Sequence, residues 1–173
     1  EVGDTEPNGA RYTSSHVSRS ARLLTRFLEA VGMPEWASIS ANIVHYTGYE
    51  RPFAQIDAPD SRDHQVGHLV GTADLIAQMA DRCYLEKCRD RLYPEFVAGG
   101  LARKRTADGD EQIVYSSGID LVKKTPDFFD VAKRRLNIDL NASHEFAKKH
   151  FGGENLYLDE VEKKIAEKLG FRA

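Results

Sequence analysis

The sequence predicts an all-α protein: a multi-helix bundle with a C-terminal helical extension and one short irregular or hairpin segment near 101–117. Three observations lead there. Apolar residues recur at helical spacing along most of the chain, as in Val17, Ala21, Leu24, Phe27, Leu28 and Val31. β-type signals are confined to the neighbourhood of Ile113-Val114-Tyr115. Glycine and proline punctuate the sequence at Gly32, Pro34, Gly48, Pro94, Gly99-Gly100 and Gly152-Gly153, leaving helix-sized pieces between them.

At 173 residues the chain is long enough for one domain with a substantial core. The expected organisation is a flexible lead-in over 1–13, a helical core over 14–98, and a C-terminal helical portion over 99–173 packed on the same domain. A net charge of −3 gives no electrostatic reason to expect nucleic acid or a membrane surface as a partner. No apolar run reaches the roughly 18 residues a membrane span needs, and no signal-peptide pattern precedes the first helix, so the expectation is a cytoplasmic protein. Cys83 and Cys88 fall on roughly opposite sides of an expected helix and read as reduced thiols. An oligomer is compatible with all of this.

The first helix starts after Ser14 or Ser15, either of which can cap it, and stops at Gly32. Pro34 suits the first turn of a second helix, with Trp36, Ile39 and Ile43 on one face, ending at His45-Tyr46-Thr47-Gly48. A polar loop from Tyr49 to Ser61 is long for a plain connector. The next helix, from about Ser61 to Arg91, is the stretch around which the rest is organised, with a bend expected near Gly67 or Gly71. Arg103-Lys104-Arg105, Asp108-Gly109 and Ile113-Val114-Tyr115 read as a loop or hairpin. Helices resume over Gly118–Lys124, from Thr125-Pro126 through about Leu136 with Phe129, Ala132 and Leu136 inward, and from Ser143 to about His150. Leu158, Val161, Ile165, Lys168 and Leu169 mark the last one.

Within the long helix, Gly71, Asp74, Gln78, Asp81 and Leu85 fall on one stripe, which is expected to look inward. A buried carboxylate needs a cation, a metal or a hydrogen-bond network. Four of the six histidines, His16, His45, His64 and His68, precede this stripe. Imidazoles with an inward carboxylate are the donor set of a mid-series divalent metal. The same histidines also suit hydrogen-bonded core or cap positions.

The order His16, His45, Asp74, each 29 positions after the one before, resembles the H, HD, D pattern of the HD-domain metal-dependent phosphohydrolases. The resemblance covers roughly residues 12–98. It implies an HD-like all-α bundle, a divalent metal ion (Mn, Fe, Co, Ni, Mg or Zn) held by His16, His45 and Asp74, and hydrolysis of a phosphate ester of a small molecule such as a nucleotide. Thr72, Gln78 and Asp81 would position that site from around it. The sequence departs from the pattern at the doublet, which reads His45-Tyr46. The aspartate that would ligate metal and help activate water is missing, so the general base is unassigned. Water, His64, His68, Asp57 or Asp60 could complete the ligand set. His64 and His68 are also spaced i, i+4 and form an additional metal or substrate contact in their own right.

Other features bear on a phosphorylated ligand. Tyr46, Tyr49 and Phe53 offer faces for a planar group, and Lys133-Arg134-Arg135 is one of several basic runs that read either as solvated helix faces or as a phosphate clamp. The alternatives to an enzyme are an HD-like module without catalysis, serving ligand sensing or protein interaction, and a purely structural helical domain.

Overall fold

The computed structural model describes residues 9–170, with side chains described through Lys164. The all-α expectation holds. In chain order the helices are α1 (His16–Ala30), α2 (Ala37–Val44), α3 (Ser61–Ala80), α4 (Tyr84–Lys87), α5 (Tyr93–Ala98), α6 (Gly118–Lys123), α7 (Thr125–Arg134), α8 (Glu145–His150) and α9 (Leu156–Gly170). Short 3-10 turns occupy Ala10–Tyr12, Pro34–Trp36, His45–Thr47 and Phe53–Gln55, and π-helical turns occupy Cys88–Leu92 and Arg135–Asp139. Strands β1 (Arg103–Arg105) and β2 (Glu111–Ile113) form the expected hairpin, antiparallel with Lys104 opposite Gln112. Gly109 takes the positive φ of +88° that its turn requires. Of the expected lead-in, residues 1–8 lie outside the described residues, as do the side chains of Ile165, Lys168 and Leu169. No helix among the described residues is long and apolar enough to cross a membrane.

The chain divides into two compact units, one formed by Glu1–His16 and Cys83–Thr125, the other by Val17–Arg82 and Pro126–Ala173. The first unit is built on Ala10, Tyr84, Cys88, Ala102 and Leu121, all buried. Ser117 caps α6 by accepting a hydrogen bond from the Asp120 N–H at 3.0 Å, and the Tyr93 hydroxyl donates to the Ser116 carbonyl at 3.0 Å. Cys83 and Cys88 are free thiols, and burial pushes the Cys88 thiol up from its ordinary pKa.

The second unit has α3 at its centre. Gly67, Gly71, Thr72, Leu75, Ile76 and Met79 form the buried face of that helix. Phe129, Ala132 and Leu136 are buried as their spacing predicts, together with Tyr46, Leu140 and Val161. Asp60 caps α3 by accepting the Asp63 N–H at 2.9 Å. The far end of the helix is closed by Lys164, 7% exposed, whose ammonium donates to the carbonyls of Met79, Ala80 and Asp81 at 3.3, 2.6 and 2.7 Å. Those carbonyls have no partner within the helix, and a cation complements the negative end of its dipole.

Several expectations are corrected here. The long helix runs unbroken through Gly67 and Gly71 and stops at Ala80, where Asp81 leaves helical geometry at φ −54°, ψ 123°, instead of continuing to Arg91. The stripe of Asp74, Gln78 and Asp81 does not look inward: Asp74 and Gln78 are exposed and Asp81 is half-buried. At 3.6 residues per turn, Asp74 sits about a third of a turn from the centre of the buried face. Neither Ser14 nor Ser15 caps α1. That role falls to the carboxylate of Glu50, whose Oε1 accepts the Val17 N–H at 2.7 Å and whose Oε2 accepts the Ser18 N–H at 2.9 Å. Only Val17 and Ala21 of the α1 stripe are buried, while Phe27 and Val31 are exposed beside Leu23, Met33 and Trp36.

Candidate functional site

Tyr46 is the pivot of the second unit. It stands in the 3-10 turn that ends α2, is 1% exposed, and lies where two glycines of α3 let another segment come close. A Cβ on Gly67 would fall 2.5 Å from the Tyr46 ring, and one on Gly71 would fall 2.5 Å from the Tyr46 carbonyl oxygen and 2.8 Å from Leu140. The i, i+4 glycines therefore form a slot into which Tyr46 packs. At the inner end of the ring, the hydroxyl and Nδ1 of His64 are hydrogen-bonded at 2.7 Å. Phe53 meets the ring edge to face at 5.2 Å and His68 does so at 5.5 Å. Burial and the nearby Asp63 carboxylate hold the phenol above its usual pKa, so the tyrosine is neutral.

On one side of Tyr46 lies an arginine site. Arg135, only 5% exposed, begins the π-helical turn after α7. Its Nη2 donates to the Tyr46 carbonyl at 2.9 Å and to the Gly48 carbonyl at 2.6 Å. The guanidinium carbon stands 4.0 Å from the centre of the Tyr49 ring and 5.0 Å from that of Phe53. Among the described residues this buried cation makes no ion pair with a carboxylate, and its hydrogen bonds to protein run through Nη2. It lines a cavity of about 260 Å³ with Tyr49, Arg51, Phe53, Arg134 and Asp139. Three guanidinium groups and one carboxylate leave that cavity positive. Carbonyls and aromatic faces ease the burial of Arg135 without neutralising it.

On the other side, His64 and His68 project from successive turns of α3 into a second cavity of about 440 Å³, which Asn141, Ser143 and Phe146 also line. Their ring centres are 6.2 Å apart, with planes inclined by 35°. Burial first, and then the neighbouring His64, lower the pKa of His68. His45 is 3% exposed, its Nδ1 has no hydrogen-bond partner, and its pKa is lowered by burial and by Arg51, partly offset by Glu50. The Thr72 hydroxyl is likewise buried without a partner.

The residues singled out by sequence are distributed as follows. His45, Thr72, His64, His68, Asp74, Gln78 and Asp81 belong to the second unit, and His16 to the first. His16 is exposed at the start of α1, its Nδ1–H donating to the Thr13 carbonyl at 2.7 Å. Asp74 and Gln78 are exposed on α3, and Asp57 and Asp60 are exposed in the loop before it. Among the described residues, no group of three or more His, Cys, Asp or Glu side chains is arranged to hold a metal ion.

Arg135 is the residue that sequence reasoning undervalued. It was one letter of a basic run, yet it stands next to the Ala132 and Leu136 stripe and so faces the core side of α7. The signal available in the sequence was that adjacency, together with the aromatic pair Tyr49 and Phe53. No protein-family model, curated protein or solved structure matches the chain.

Proposed function

We propose that this chain is a ligand-sensing helical module without catalysis, HD-like in the order of His16, His45 and Asp74, that binds a small molecule carrying both an anionic phosphate and a planar ring. The observation that carries this reading is the Arg135 guanidinium: buried, held by two carbonyls, covered by Tyr49 and Phe53, and lacking a carboxylate partner. A phosphate meets the guanidinium fork with matched geometry and charge, and Arg51 and Arg134 at the same cavity add to its field. The exposed Tyr49 ring offers a stacking face for a base-like group. The phosphohydrolase alternative requires His16, His45 and Asp74 to share a metal, and the exposure of His16 and Asp74 gives that arrangement no support. Tyr46, in the place of the doublet aspartate, serves packing instead.

Calorimetric titration with adenosine monophosphate, adenosine and pyrophosphate, in buffer containing a chelator, tests the proposal. The monophosphate is expected to bind more tightly than adenosine. Arg134→Ala and Arg51→Ala should each weaken it by about tenfold, roughly 1.4 kcal/mol, and Tyr49→Ala should weaken it while sparing pyrophosphate. Equal affinities for monophosphate and adenosine, or variants that bind like the parent, overturn it. Phosphate release in the presence of Mn, Co or Ni that disappears in His45→Ala and Asp74→Ala would replace it with the hydrolase.

A further inference from the structure

We infer that His64 and His68 form an open two-imidazole site for a borderline transition-metal dication of the Zn, Ni or Cu class. None of its residues lines the arginine cavity, so it stands independently of the proposed function.

Helical geometry supplies the pair. Residues four apart on α3 lie one above the other, and α3 is unbroken from Ser61 to Ala80, so both imidazoles are carried by a rigid element. With nitrogen-to-metal distances of about 2.0–2.1 Å, ring centres 6.2 Å apart are near the widest separation from which two imidazoles reach one ion, on nearly opposite sides of it. One buried group touches both rings. Tyr46 and His64 share a hydrogen bond through Nδ1; in the tautomer where Nδ1–H donates to the hydroxyl oxygen, Nε2 is left for a ligand, and the Tyr46 ring meets His68 edge to face. This is the arrangement by which an outer partner fixes the tautomer and direction of a metal-binding histidine. His68 makes no hydrogen bond to protein among the described residues, although it is half-buried and lines the cavity.

The donor type selects the ion. Two neutral nitrogens suit Zn, Ni and Cu, whereas Mg and Ca require oxygen-rich cages. Two protein ligands are fewer than a closed structural site uses, so the remaining positions belong to water or to an anion entering the 440 Å³ cavity. The wall of that cavity contains Asn141, and both Asn141 and the following Ala142 hold positive φ, at 51° and 50°. Such strained conformations concentrate at ligand sites.

Titration of the full chain with Cu(II), followed by electron paramagnetic resonance and calorimetry, tests this. One equivalent should bind with hyperfine coupling to two imidazole nitrogens. His64→Ala and His68→Ala should each weaken binding at least tenfold. Tyr46→Phe, which keeps the ring but removes the hydroxyl, should weaken it by a smaller factor and broaden the geometry of the copper signal. His150→Ala, at an exposed histidine of α8, should leave it unchanged. Because the helix variants could perturb folding, the nitrogen count in the unmodified protein and the circular dichroism of each variant are read together. Coupling to fewer than two imidazoles, or full-affinity binding by folded His64→Ala/His68→Ala protein, overturns the inference.

Discussion

A fully buried tyrosine must satisfy its hydroxyl as well as its ring, because a buried unpaired polar group costs about 1–3 kcal/mol. Tyr46 does so through His64, while its main-chain carbonyl receives Arg135. Tyr46 is therefore the residue on which the surrounding contacts depend. A test follows at Gly71. Helix propensity alone favours alanine there by about 1 kcal/mol. The new Cβ, however, would lie 2.5 Å from a backbone oxygen that cannot step aside. Overpacking of this kind costs roughly 1–3 kcal/mol, so Gly71→Ala should lower the urea midpoint at an unchanged denaturant slope. Tyr46→Asp, which creates a His-Asp pair at 45–46, should destabilise by several kcal/mol because it buries a carboxylate near Asp63 and abandons the slot. A neutral Gly71→Ala, or a Tyr46→Asp protein as stable as its parent, would contradict the packing role.

At the scale of elements, helices α1, α2, α3 and α7 were legible because their apolar spacing and Gly or Pro stops are local signals. What was illegible depended on distant partners. The end of α3 at Ala80 is closed by Lys164, more than eighty residues later in the chain. The start of α1 is closed by Glu50 of the following loop, not by the neighbouring serines. The acidic stripe of α3 shares only Gly71 with the buried face, so its spacing alone does not reveal that Asp74 and Gln78 are exposed. The glycine pair Gly67 and Gly71 was the better guide, since it marks the side where another segment approaches. Lys164→Met keeps much of the side-chain bulk but removes the donor to three carbonyls. Bonds from a charged donor contribute about 1.5–3 kcal/mol, so a loss of roughly that size is expected in chemical denaturation. Hydrogen exchange should rise first in the last turn of α3. Unchanged protection there would show that the lysine is not what ends the helix.

For the whole molecule, the histidines link folding to pH. His45 and His68 both have folded pKa values below the ordinary 6.5. Between the folded and unfolded values the unfolded chain binds more protons, so stability rises with pH in that window. The contribution is complete above about 6.5 and is lost as pH falls below it. Stability measured at pH 7.5 should therefore exceed that at pH 5, and His45→Gln should flatten the slope. A profile that is flat, or that rises toward acid, would contradict the burial of neutral imidazoles. The fold class, the hairpin, the last helices and two of the aromatic faces were readable from residues alone. The buried cation was not, because the burial of Arg135 arises from the joint packing of the 46–53 segment and α7, which no single stretch of sequence displays. Anion binding by this guanidinium is what the proposed function requires, and nitrogen-15 side-chain NMR of arginine reads it directly. During titration with adenosine monophosphate, the Arg135 Nε resonance, assigned with Arg51→Lys and Arg134→Lys proteins, should shift and saturate together with the calorimetric isotherm. An Arg135 signal that stays fixed while ligand binds elsewhere, or while none binds at all, would contradict the account.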